Sequence, residues 1–179
     1  MALYLSAENM SVEALFLQFS VDKLAQLVDR IEVCLAKLSD EQIWARGREN
    51  ENAIGNLALH LAGNVRQWIL SSLGNHPDHR DRDSEFAARG GHTAAELSAH
   101  LRNTVEQAAL IISGLTAKQL TRTYEIQKYS VSGVEAVYHV VEHFAEHTGQ
   151  IIFATKSFTA QDLGFYRHLG NPVHREQVP

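Results

Sequence analysis

Three histidines, His139, His143 and His147, stand four residues apart in the stretch VEAVYHVVEHFAEHTGQIIFAT from Val134 to Thr155. On an α-helix, residues four apart project from nearly the same side, one turn above the other. A His-x-x-x-His pair of this kind can offer two imidazoles to one metal ion. All three cannot serve the same ion. His139 and His147 would lie about 12 Å apart along a helix axis, whereas zinc holds its imidazole nitrogens at about 2.0–2.1 Å. The pair is therefore 139/143 or 143/147, with His143 common to both, and spacing alone leaves the choice open. Two imidazoles do not make a site, so a third ligand must come from elsewhere. His60 lies mid-way through another apolar segment, ALHLAGN. A lone helical histidine ordinarily bonds a neighbouring group or faces water. His76 and His79 are also spaced like ligands, but in a proline-containing stretch where the signal is weak.

The elements that must position these residues follow from periodicity. A first helix is expected from near Ser11 to about Lys37, with Phe16, Leu24, Leu27, Val28, Ile31 and Leu35 on one apolar face. Cys34, the single cysteine, sits at the edge of that face and reads as a small buried residue. Ser39 and Gln42 form a capping box for a short helix through Trp44, and Arg46 to Asn52 reads as a polar loop. Ala53 to Leu73 is a second long helix, stopped by Gly74. The stretch 75–92, NHPDHRDRDSEFAARGGH, is the least helical part of the chain. It reads either as a solvated loop or as a lid or pocket wall, because long loops in compact domains are often functional. Arg80 and Arg82 within it, with Arg66, could hold an anionic substrate. Thr93 and Glu96 cap a third long helix, and Leu115 to Leu120 resembles Leu38 to Ile43, which hints at two similar helix-pair halves. Tyr124 to Ser130 is a candidate extended segment, too short to make this a β protein. Ser132 and Glu135 cap the histidine-bearing fourth helix. A short helix within Thr159–Leu169 and a loose tail over 171–179 complete the chain.

Four amphipathic helices with short extra ones imply an all-α four-helix bundle in a single domain spanning 1–179. The 179 residues are 45% apolar and 21% charged, as in ordinary globular proteins. A net charge of −5 argues against a general nucleic-acid binder. No apolar run reaches the roughly 18 residues of a membrane span. The first ten residues also lack the features of a signal peptide. A soluble cytoplasmic protein acting on a small molecule, without nucleic acid or membrane partners, is the expectation.

ALHLAGN around His60, together with EHFAEHTGQI from Glu142 to Ile151, resembles the DinB/YfiT-like superfamily of metalloenzymes. The segments HLAGNVRQW and RDRDSEF are similar to a branch of it without a settled activity. The resemblance implies an up-down-down-up bundle, frequently a homodimer, with one histidine from the second helix and two from a later His-x-x-x-His motif. It thereby assigns His60, His143 and His147 as ligands of a divalent ion, zinc or nickel. His139 becomes a neighbour of the ion, and Asn64, Glu146 and Gln150 are expected around the pocket with it. Relatives in the superfamily include transferases and isomerases that use low-molecular-weight thiols. Three neutral imidazoles would leave the ion its double charge and an open position, the arrangement of a catalytic site. A thiol-dependent S-transferase is thus the expected function. A metal-dependent hydrolase and a non-catalytic metal-binding or interaction bundle are the alternatives.

Overall fold

The computed structural model describes residues 10–170 and Val178. Helix α1, Val12–Leu35, starts where Ser11 accepts a hydrogen bond from the Ala14 amide. The short α2, Asp40–Trp44, follows behind the Ser39–Gln42 capping box. Helix α3 is Ile54–Val65, continued without a break by a π-helical segment, Arg66–Leu73. Helix α4, Arg82–Ala87, lies inside the stretch that sequence left as the least helical. Helix α5, Ala94–Ser113, is capped by Thr93, and α6, Ala117–Thr121, repeats the α2 pattern with Thr116 and Gln119. Strands β1, Thr123–Ile126, and β2, Tyr129–Ser132, form an antiparallel hairpin pairing Thr123 with Ser132 and Ile126 with Tyr129. The chain then enters α7, Gly133–Thr159, through the Ser132–Glu135 box. A 3-10 turn, Arg167–Gly170, ends the regular structure where a short terminal helix was expected.

The four long helices make the expected bundle. α1 packs on α5 and α7, and α3 packs on the same two, so α1 and α3 occupy opposite corners. Their apolar stripes meet in one core that includes Leu24, Ile31, Leu61, Leu101, Ile112 and Phe144, each 0% exposed. Burying side chains of this kind contributes roughly 1.5–3 kcal/mol each, the dominant favourable term in folding. Cys34 is buried at the α1 face, as its position predicts. The tail over 171–177 and Pro179 lies outside the described residues. Val178 is buried, and its carbonyl accepts a hydrogen bond from Gln26 at 2.8 Å. No helix among the described residues is long and apolar enough to cross a membrane.

Two local features shape the functional end of the bundle. The π-helical segment closes with Gly74 N–H donating to the Ile69 carbonyl five residues back, at 2.8 Å. Such widened turns are rare and concentrate at functional sites. The hairpin turns through Gln127 and Lys128, both with positive φ (51° and 70°), the geometry of a two-residue primed turn. Gln127 donates to the Gln67 side-chain oxygen and so fastens the hairpin to the π segment.

Candidate metal centre

α3 and α7 face each other with their histidines inward. The His60 ring lies 5.0 Å from that of His143 and 5.2 Å from that of His147, and the latter two are 4.4 Å apart. One ring nitrogen from each falls within 4.8 Å of the other two. The Nε2 atoms of His60 and His143 are only 2.8 Å apart. Nitrogens held tetrahedrally at about 2.0–2.1 Å from one ion would be about 3.3 Å apart, so the three side chains suit a shared divalent cation after small ring adjustments.

The tautomers favour the same conclusion. His60 Nδ1 stands 3.0 Å from Glu85 Oε2, and a carboxylate there can only accept. His147 Nδ1 likewise donates to the Gln150 carboxamide oxygen at 2.7 Å. In both rings the proton sits on Nδ1 and the Nε2 lone pair is left for a ligand, the orientation that hydrogen bonds behind a metal-binding imidazole normally enforce. Burial pushes the His143 pKa down to about 3, helped by the neighbouring His147, His60 and His139. Burial also lowers that of His60, against the upward pull of Glu85. These imidazoles are neutral at neutral pH and able to coordinate.

Glu85 is held as firmly as the histidine it orients. Arg80 grips it with two parallel bonds, Nε to Oε1 at 2.8 Å and Nη2 to Oε2 at 2.9 Å, the strong fork geometry of guanidinium and carboxylate. Arg80 Nη2 also lies 3.1 Å from His60 Nδ1. With the Nδ1 proton directed at Glu85, that is an approach of two donors and not a bond. The Arg80 side chain is 2% exposed. Although burial works to raise the Glu85 pKa, hydrogen bonds from Arg80 and His60 outweigh it and hold the carboxyl below its usual range. The backbone of α4 is pinned in turn by Asn56, 0% exposed at the start of α3. Its Nδ2 donates to the carbonyls of Glu85 and Ala88, at 2.8 and 3.0 Å, while its oxygen accepts from Arg46 and the Ala53 amide. Gly63 makes room for the arrangement. A Cβ there would run into the Glu85 carboxylate oxygen and lie 3.0 Å from Arg80 Nε.

His143 opens onto a cleft of about 400 Å³, the size of a small-molecule site. His60, Asn64 and Trp68 from the α3 side face His139 and His143 across it, and Tyr129 and Val131 bring in the hairpin. His139 is outside the ligand cluster. Its ring packs 4.1 Å from Trp68 and lies nearly parallel to His143, at 5.4 Å and 19°. Asn64 is 4% exposed on the cleft wall. Glu146 is exposed and belongs neither to the histidine cluster nor to the cleft lining. Arg66 lines a different hollow, and Arg80 turns inward to Glu85, so of the three arginines considered for an anion only Arg82 remains at the cleft without a carboxylate partner among the described residues.

Glu85, Asn56 and Gly63 are neighbours of the histidine cluster that sequence reasoning missed, and Arg80, expected to meet an anionic substrate, is paired with Glu85 instead. One signal was available. A glycine within a strongly periodic helix lowers its stability and usually has a packing reason, and Gly63 lies one turn from His60.

No curated protein matches the chain. A conserved protein from Enterococcus faecalis has a similar solved structure, with a TM-score of 0.67 and 16% identity, covering 85% of this chain and 99% of that one. The DinB-like protein YjoA of Bacillus subtilis gives a TM-score of 0.63 at 18% identity, over 82% of this chain and 96% of its own. The bundle therefore has the DinB-like fold. A family model described as a protein of unknown function, DUF1572, matches residues 11–169, and the chain belongs to that family.

Proposed function

We propose that this protein is an enzyme that uses a divalent metal ion, zinc or nickel, held by His60, His143 and His147, to act on a small molecule in the adjoining cleft. The observation that carries the reading is the convergence of three imidazole nitrogens within 4.8 Å, beside an open cleft. The ion would act as a Lewis acid toward a thiol or an oxygen of the substrate. Thiol transfer is preferred to hydrolysis on the resemblance to thiol-using relatives.

The chain's own groups supply the rest. Glu85 and Gln150 fix two ring orientations, Arg80 keeps Glu85 ionised, and Trp68 with His139 walls the cleft. We place the protein in the cytoplasm as a homodimer. Exposed Tyr138 and Phe153 on α7 support a subunit contact, which sedimentation would test.

Metal analysis of tag-free protein tests the site. About one ion per chain is expected, lost in His60→Ala, His143→Ala and His147→Ala and kept in His139→Ala. Wild-type metal content in all three ligand variants would refute it. A panel of low-molecular-weight thiols with aryl halide and epoxide electrophiles tests the reaction, and a fully loaded protein without turnover would be a binding module instead.

A further inference from the structure

Asn64 lies one turn beyond His60 on α3, facing the cleft, and is 4% exposed. No hydrogen bond joins its carboxamide to any other described residue. Asn56, two turns earlier on the same helix, engages its oxygen and its nitrogen with five partners. The amide atoms keep access to the open cleft, and polar groups largely withdrawn from water are paired as a rule, so a ligand in the cleft can complete the pairing. A carboxamide presents a donor and an acceptor side by side. Either group can pair with a secondary amide, whose trans N–H and C=O point to opposite sides, so that one hydrogen bond joins the two.

The surroundings specify what flanks that amide. The Trp68 indole, tilted 40° against His139, forms an aromatic part of the wall, and the exposed Tyr129 ring adds aromatic surface. The Arg82 guanidinium lies 4.9 Å from the Phe86 ring centre and makes no ion pair among the described residues. Glu135, the acidic residue on the lining, has its carboxylate engaged by the Ser132 amide and hydroxyl. A carboxylate arriving at this cleft therefore meets a free cation and an anion that is already engaged.

We infer that the cleft binds an N-acyl amino acid, or a molecule of dipeptide size. Its amide pairs with Asn64, its apolar side chain lies on Trp68 and Tyr129, and its carboxylate meets Arg82. The inference deepens the proposed function by naming a substrate class for the same cleft.

The test is a titration of the full chain with N-acetyl-L-phenylalanine, followed by the indole N–H resonances of ¹⁵N-labelled protein. The sequence has two tryptophans, and Trp44, whose indole donates to the His92 carbonyl away from the cleft, is the internal control. Two further probes lack one group each: 3-phenylpropionate has no amide, and N-acetylphenethylamine has no carboxylate. The Trp68 resonance is expected to move saturably while that of Trp44 stays in place. Asn64→Ala should weaken the two amide probes about tenfold, the value of one good hydrogen bond, and 3-phenylpropionate less than twofold. Arg82→Gln should weaken the two carboxylates and spare N-acetylphenethylamine. Asn64→Leu, which fills more of the same space, should behave as Asn64→Ala does. An unmoved Trp68 resonance with all three probes would overturn the inference, as would equal weakening of every probe in both Asn64 variants. Parallel titrations with zinc and with a chelator separate the two readings. Probe binding without zinc uptake would sink the metal site alone, and zinc uptake without probe binding would sink the substrate class alone.

Discussion

Replacing Glu85 by glutamine keeps the shape of the side chain and removes its charge. In the native protein Arg80 and Glu85 are joined by two bonds under 3.0 Å, with Arg80 2% exposed. Breaking a buried pair by removing one partner leaves the other charge uncompensated and costs about 3–5 kcal/mol. The His60 ring also loses its carboxylate acceptor, a change that typically lowers metal affinity about 10–100-fold. Urea unfolding of metal-free protein at pH 7.5 measures the first effect. Competition for zinc against a chromophoric chelator measures the second. The double variant Arg80→Met/Glu85→Gln should recover at least half of the lost stability, because no unpaired charge remains, but none of the lost affinity. An unfolding free energy within about 0.5 kcal/mol of wild type, or zinc affinity within about twofold, would refute the argument. The pair should also be pH-sensitive in a defined sense. The Glu85 pKa is lowered in the fold, so its contribution is present above the unfolded carboxyl value of about 4.3 and fades as pH falls through the folded one.

Acid should weaken the metal-free protein well before carboxylates titrate. His143 resists protonation down to about pH 3 while the unfolded chain takes up its proton near 6.5, so stability is flat above that pH and falls below it. By pH 5 this one residue accounts for a loss of about 2 kcal/mol, readable as the difference in urea midpoints between pH 7.5 and 5.0, and His143→Asn should abolish that part. Gly63→Ala drives a methyl group into the Glu85 carboxylate and should reduce zinc affinity about as Glu85→Gln does. Its stability loss, about 1–3 kcal/mol from the clash, is offset by up to about 1 kcal/mol of better helix propensity. Lys128→Gly relieves a positive φ of 70° at an exposed turn and should raise the thermal midpoint, in line with a gain of about 0.5–1 kcal/mol.

The capping boxes at Ser39, Thr93, Thr116 and Ser132 were legible because each is a local pattern, and the bundle was legible because four apolar stripes have few ways to be buried together. The choice between His139 and His147 was of another kind. Both keep the same spacing from His143, and only the position of His60 across the bundle separates them, which the family resemblance supplied and periodicity could not. Glu85 was hidden for a physical reason. In sequence it belongs to an alternating run of charges, RDRDSE, that reads as solvated, and its partner His60 is 25 residues away. Its burial is created by Asn56 and Arg46, polar residues whose own partners are backbone carbonyls of α4. No property of the α4 segment taken alone announces that it is held inside.

The widened turn after Val65 has a consequence for phase. Counted at about 100° per residue, an unbroken α-helix would carry Trp68 about 80° round the axis from His60. Hydrogen bonding to the fifth residue back winds the chain more slowly, and part of that rotation is taken back. His60, Asn64 and Trp68 are thereby kept on one strip facing the cleft. The segment behaves as a chain with one residue in reserve. Deleting a single residue between Trp68 and Leu73 would let ordinary α geometry resume with the side chains beyond it still in phase with the core, while Trp68 would turn away from the strip it shares with His60 and Asn64.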